Sequence, residues 1–334
     1  MPSCSQAQCR IAETGVCLEG HKQDCPHQLA DKATPALAAP VPQTTTIAAV
    51  AEPRRFHTGE KLTAPETSRL LNGKPVRVVL CVGSRWSGKT TFLARIGEMF
   101  RDGSFARYRF AGSLTLCGFE RVTWRATIAS GASRPDTLRT LRAENDTFLH
   151  LCICPEDDKS RKLDLLISDL AGETFPTAVA SREFCADLLS LGRADHLVVF
   201  LDCARLVDSV QRHTECDNAK TFLQRVSSVK NQPNALLVQV VFSRWDYVLR
   251  HPERAAQEKY CAAVETDFKK RFGDTFAALE FRRIAARPSD GLEATNGEIQ
   301  SLFAHWLETP LQQSQPDAAR NRQPVRDFSA FGLA

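Results

Sequence analysis

One octapeptide constrains this chain more than anything else in it: Gly83-Ser84-Arg85-Trp86-Ser87-Gly88-Lys89-Thr90, a full match to G-x-x-x-x-G-K-[ST]. Val76, Val78, Val79, Leu80 and Val82 precede it as a β-branched apolar run, which predicts a buried strand. Phe92, Leu93, Ala94, Ile96, Met99 and Phe100 follow it with helical spacing. A glycine turn between a strand and a helix is the setting in which this pattern cradles phosphate.

Each residue type answers a physical need. Gly83 and Gly88 let the backbone turn tightly and bring amide N–H groups to an anion. Lys89 supplies a point charge for the β- and γ-phosphates, and the Thr90 hydroxyl can ligate Mg²⁺. Ser84, Trp86, Ser87 and Thr91 complete the expected nucleotide contacts, and the helix dipole adds to the field.

Composition narrows the class further. A chain of 334 residues with a net charge of +4 is too weakly basic to indicate nucleic acid as a partner. No apolar run reaches the ~20 residues that span a bilayer, and the first residues are polar, so a cytoplasmic protein is expected. Of twelve cysteines, Cys4, Cys9, Cys17 and Cys25 fall in the opening segment. Four thiolates there can close a tetrahedral zinc site, and the alternative is a tail of reduced thiols. The remaining cysteines sit largely in apolar runs, as small core residues.

The domain organisation expected is a Cys-rich segment over 1–28, an Ala/Pro-rich linker over 29–72, a phosphate-loop domain over 73–310 and a polar tail over 311–334. Within the domain, strand patterns cover 148–154, 163–168, 197–201, 236–242 and 279–285. Helical patterns cover 178–191, 208–229, 252–272 and 298–307. The alternation predicts an α/β fold of the P-loop NTPase kind, a mostly parallel sheet with helices on both faces. In such sheets ligands bind at the carboxyl ends of the strands.

Three further motifs stand at such ends. Asp169-Leu170-Ala171-Gly172 follows the 163–168 strand in a D-x-x-G pattern. Asp169 is placed to hold Mg²⁺ and the Gly172 N–H to read a γ-phosphate. Glu173 stands where many GTPases carry a water-orienting Gln, either as a base or as a solvated helix-start residue. Ser243-Arg244-Trp245-Asp246 follows the 236–242 strand and is similar to [NT]-K-x-D, the guanine-reading element. One carboxylate at Asp246 can accept from both donors of guanine, a pair that adenine lacks. Ser243 and Arg244 depart from the pattern, although an arginine stem can also cover a ring. Ala286, after the last strand, is the candidate backbone donor to the guanine carbonyl.

The long connection over 101–146 is where a magnesium-binding switch threonine is expected, from among Thr115, Thr123, Thr127, Thr137 and Thr140, with Thr140 favoured. The same region carries Arg121, Arg125, Arg134, Arg139 and Arg142 as candidate fingers.

The order and spacing of these motifs resemble GTPases of the TRAFAC class. Ala111-Gly112-Ser113-Leu114-Thr115-Leu116-Cys117-Gly118-Phe119-Glu120, Ser130-Gly131-Ala132-Ser133-Arg134-Pro135-Asp136-Thr137 and the Cys-rich opening look like the double-GTPase group of bacterial conflict and defence loci. The resemblance runs from Cys4 to about Leu307. It implies GTP and Mg²⁺ as ligands, slow hydrolysis to GDP, and a protein partner, with a second GTPase encoded nearby. An ATP-binding P-loop enzyme and a non-hydrolysing nucleotide-sensing adaptor are the alternatives.

Overall fold

The strand Val76–Gly83 (β1) is apolar on both faces, so folding has to cover it twice. The computed structural model describes residues 3–5, 8, 16, 20, 26–29, 57–71, 76–127, 130–131, 147–288 and 292–308. The chain divides into two units, Met1–Arg55 and Phe56–Ala334.

In the first unit, Ser3–Cys4 and Gln28–Leu29 pair antiparallel, and the Ser5 N–H donates to the His27 carbonyl at 3.0 Å. Cys9, Cys17 and Cys25 lie outside the described residues, and of Cys4 only the backbone is described. Among the described residues, no group of three or more His, Cys, Asp or Glu side chains could hold a metal ion.

The second unit is built on one seven-stranded sheet. After β1 come Tyr108–Gly112 (β2), Leu149–Pro155 (β3), Leu163–Asp169 (β4), His196–Asp202 (β5), Leu237–Ser243 (β6) and Ala278–Ile284 (β7). Their order across the sheet is β2-β3-β4-β1-β5-β6-β7. β4, β1, β5, β6 and β7 are mutually parallel, whereas β2 and β3 add on antiparallel. The fold is thus α/β with a mostly parallel sheet and helices on both faces.

Alternation along β1 sends Leu80 and Val82 to one core and Val79 and Cys81 to the other. Helices Arg212–Val229 (α8) and Arg254–Phe272 (α10) cover the first face through Phe222, Leu223 and Phe268. Helices Lys89–Asp102 (α2) and Asn296–Glu308 (α11) cover the second. There Phe92 sets its edge against Phe200 at 5.5 Å and Trp306 at 6.1 Å. Truncating such a ring costs about 3–5 kcal/mol, so this packing fixes where α2 starts.

Three local outcomes differ from the sequence reading. Residues 57–71, which composition assigns to a linker, are structured: Leu62 bridges Phe148 and is buried, and Ala64–Leu71 (α1) packs behind it. In Thr63-Ala64-Pro65-Glu66 the Glu66 side chain reaches back to the helix start, its Oε2 accepting from the Thr63 N–H at 2.7 Å and from the Thr63 hydroxyl at 2.8 Å. The edge strand β2 and the helix Leu116–Thr123 (α3) occupy the long connection. The single helix expected over 178–191 is instead three, Phe175–Ala180 (α4), Arg182–Asp187 (α5) and Leu189–Arg193 (α6). Ser181 breaks it: its backbone is extended and its hydroxyl caps α5 by accepting from the Phe184 N–H at 3.1 Å.

Candidate nucleotide site

The carboxyl ends of β4, β1, β5, β6 and β7 finish side by side, with Cys81 beside Asp169, Gly83 beside Phe200, Asp202 beside Ser243, and Ser243 beside Ile284. The motifs at 83–90, 169–173, 243–246 and 286 therefore share one edge of the sheet.

The phosphate loop is shaped by close backbone contact. A Cβ at Gly83 would sit 2.8 Å from the Phe200 carbonyl oxygen, in a backbone already at φ +152°. Lys89 is buried at the first residue of α2, and its Nζ donates to the Gly83 and Ser84 carbonyls at 3.1 and 3.3 Å. Among the described residues the buried Ser87 Oγ has no hydrogen-bond partner, although the Ser87 N–H donates to the Ser84 carbonyl at 3.2 Å. Exposed Trp86 carries the Arg85 guanidinium 4.1 Å above its ring. Thr90 and Thr91 open the helix.

Gly172 brings the second motif onto the loop. A Cβ there would meet Arg85 Cα at 2.6 Å and Arg85 N at 2.8 Å. The neighbouring Glu173 carboxylate lies 3.5 Å from Arg85 Nε. Asp169 ends β4 directly beside β1.

The base-reading candidate is buried. Asp246 starts the short helix Asp246–Leu249 (α9), and its carboxylate pairs with Arg250 one turn later. Burial pushes its carboxyl above the ordinary range, against the pull of Arg250 and Arg244. Arg244 has φ +52°, stacks 5.1 Å over Tyr247, and sets its Cγ 3.7 Å from where a Cβ on Gly88 would stand. The loop after β6 thus lies against the phosphate loop.

A family model described as Double-GTPase 2 matches residues 77–307, most of the chain. The chain belongs to the Double-GTPase 2 family. This double-GTPase is a GTP-binding P-loop GTPase. No curated protein matches it. Among solved structures, the signal recognition particle receptor SRb-GTP/SRX complex from Chaetomium thermophilum is similar over 65% of this chain and 93% of that chain, at 15% identity and a TM-score of 0.33. No helix among the described residues of the double-GTPase is long and apolar enough to cross a membrane.

Other predicted residues fall elsewhere. Thr137, Thr140, Arg134, Arg139 and Arg142 lie outside the described residues. Thr115 is buried and gives its hydroxyl to the His150 backbone, donating to the carbonyl at 3.3 Å and accepting from the N–H at 2.7 Å. Thr123 and Thr127 donate to the Phe119 and Trp124 carbonyls. Arg121 pairs with Glu60, near α1. Ala286 follows β7, and Arg287 beside it donates to the Ala126 and Thr127 carbonyls at 3.0 and 2.9 Å.

Sequence reasoning missed a set of charges behind the site in this double-GTPase. Glu215 on α8 is buried and accepts from Ser84 Oγ at 2.9 Å and from the Asp202 N–H at 3.0 Å. Asp202, at the end of β5, holds Arg244, and Arg205 in the helix Cys203–Leu206 (α7) donates to Glu215 and to the Arg85 carbonyl. An Asp closing an apolar strand was the available signal. Nothing local marks Glu215, which lies 131 residues from Ser84.

Proposed function

We propose that this chain is a GTP-operated switch with slow Mg²⁺-dependent hydrolysis, whose nucleotide state governs a protein partner. The observation that carries it is the meeting of the Arg244–Asp246 loop with the phosphate loop, Arg244 Cγ against Gly88. That contact supports one ligand touching both, a triphosphate bound to a base with guanine's donors.

In this reading Lys89 exchanges its two loop carbonyls for phosphate oxygens, and the Ser87 hydroxyl gains the partner it lacks among the described residues. The Thr90 hydroxyl and the Asp169 carboxylate are oxygen donors that suit a hard cation, and with Thr140 they would hold Mg²⁺. When bound there, Mg²⁺ would supply charge neutralisation at the triphosphate. The Gly172 N–H reads the γ-phosphate end. Asp246 accepts from the guanine edge, Arg244 lies along the ring and the Ala286 N–H meets the base carbonyl. Glu173, 3.5 Å from Arg85, would orient water on leaving that pair, which supports slow turnover.

The resemblance of the chain to conflict-system GTPases supports a bacterial defence context, with a second GTPase encoded nearby as partner. The clustering of Cys4, Cys9, Cys17 and Cys25 in a short polar segment supports a zinc-bound opening, for which metal analysis of protein purified without chelator should find one zinc per chain.

Calorimetric titration with GTP and ATP, each with and without Mg²⁺, tests the main proposal. Preferential binding of GTP in Mg²⁺ is expected. Equal affinity for the two nucleotides defeats it in favour of an ATP-binding enzyme, and GTP binding with no phosphate release in a parallel phosphate assay favours the adaptor, for which the absence of Gln after Gly172 speaks.

A further inference from the structure

We infer that Asp202 is a positioning residue for base recognition, holding Arg244 so that an arginine serves where the guanine-reading pattern has a lysine. This rests on reading the site as a GTP site. Asp202 is fully buried at the end of β5. Its Oδ1 accepts from Arg244 Nε at 2.7 Å and from the Ala204 N–H at 3.0 Å, and its Oδ2 accepts from the other arm of the Arg244 guanidinium. Two parallel bonds fix the plane and direction of a guanidinium, which a lysine ammonium cannot reproduce. The charged head is thereby turned inward, and the stem is left facing Gly88.

Two further facts show how firmly this is held. Arg244 keeps a left-handed backbone at φ +52°, a conformation that persists in a non-glycine residue only where its surroundings over-determine it. The support also continues to the phosphate end: the Asp202 N–H donates to Glu215, Glu215 accepts from Ser84, and Arg205 ties Glu215 to the Arg85 carbonyl. A carboxylate this deep is a costly way to hold a fold. What it adds is angular control of Arg244.

Four proteins test this: wild type, Asp202→Asn, Arg244→Lys and the double variant, each titrated with GTP, ATP and inorganic tripolyphosphate in Mg²⁺ after a melting curve. Tripolyphosphate probes the phosphate loop without a base. Asp202→Asn should weaken GTP about tenfold while tripolyphosphate stays within about twofold, and the double variant should recover most of the loss, because lysine needs no fork. Parallel loss of GTP and tripolyphosphate, unchanged GTP affinity, or a double variant no better than Asp202→Asn overturns the inference. If Asp202→Asn does not fold, Arg244→Lys alone decides: it should weaken GTP several-fold more than tripolyphosphate, and a neutral effect overturns the inference. A wild type that binds GTP and ATP alike defeats the guanine reading and this inference with it. Preference for GTP that Asp202→Asn leaves intact defeats the inference alone.

Discussion

At the phosphate end of the site, Gly83 and Gly172 approach neighbouring backbone so closely that no Cβ fits, whereas at the base end Arg244 and Asp246 are each held by a charged partner, Asp202 and Arg250. The first arrangement is steric and indifferent to salt or pH. The second depends on ionisation and on two partners staying paired. The backbone contacts of Gly83 and Gly172 should therefore fail through shape, and the Arg244 and Asp246 pairs through charge.

The largest effect should come from Lys89→Ala, which removes the cation buried in the phosphate loop. Each charge-assisted bond to phosphate is worth about 1.5–3 kcal/mol, so triphosphate binding should vanish from calorimetry while circular dichroism is unchanged. Wild-type affinity in this variant would break the assignment of the loop.

Asp246→Ala comes next and should act on the base end alone. GTP should lose about 2–5 kcal/mol of binding, with ATP barely affected, because truncation leaves guanine donors unpaired. Asp246→Asn should shift preference towards xanthosine triphosphate, whose added carbonyl accepts from an amide. Comparable losses for GTP and ATP would erase the distinction between the two ends.

Gly172→Ala tests the steric side. Its φ is not in the left-handed region, so the substitution acts through the clash with Arg85. A loss of about 1–3 kcal/mol in thermal stability is expected, equal at low and high salt. A salt-dependent loss would show that charge governs this end as well.

Smallest is the pH response of Glu215, which joins the ends. Burial raises its carboxyl above 4.5, so the folded state holds the proton more tightly than the unfolded one. Its contribution to stability is then full below 4.5 and is lost as pH rises through the raised value. Glu215→Gln should flatten that part of the melting-temperature profile by less than about 1.4 kcal/mol per pH unit. An unchanged profile would mean that the carboxylate is not strained by its burial.

The same contrast explains what was legible in the sequence. Gly83, Gly88 and Lys89 are dictated by local backbone geometry, so a fixed spacing announces them. The strands β1, β4, β5 and β6 were visible for a related reason: they are largely buried on both faces and read as predominantly apolar runs, with single polar residues such as Arg77, Asp164 and Gln239 inside them. β2 was hidden because it is a short, largely exposed edge strand, and α1 because its Thr63–Glu66 cap lies in a stretch that composition marks as linker. Asp202 and Glu215 depend on partners far away in the chain, such as Arg244, 42 residues from Asp202, and no local pattern encodes them.

The contact between Gly172 and the Arg85 backbone acts as a mechanical stop. Even a hydrogen-for-methyl exchange does not fit, so the turn carrying Gly172 and Glu173 is already at its nearest approach to the phosphate loop. A displacement of that turn towards the loop would run into the Arg85 backbone.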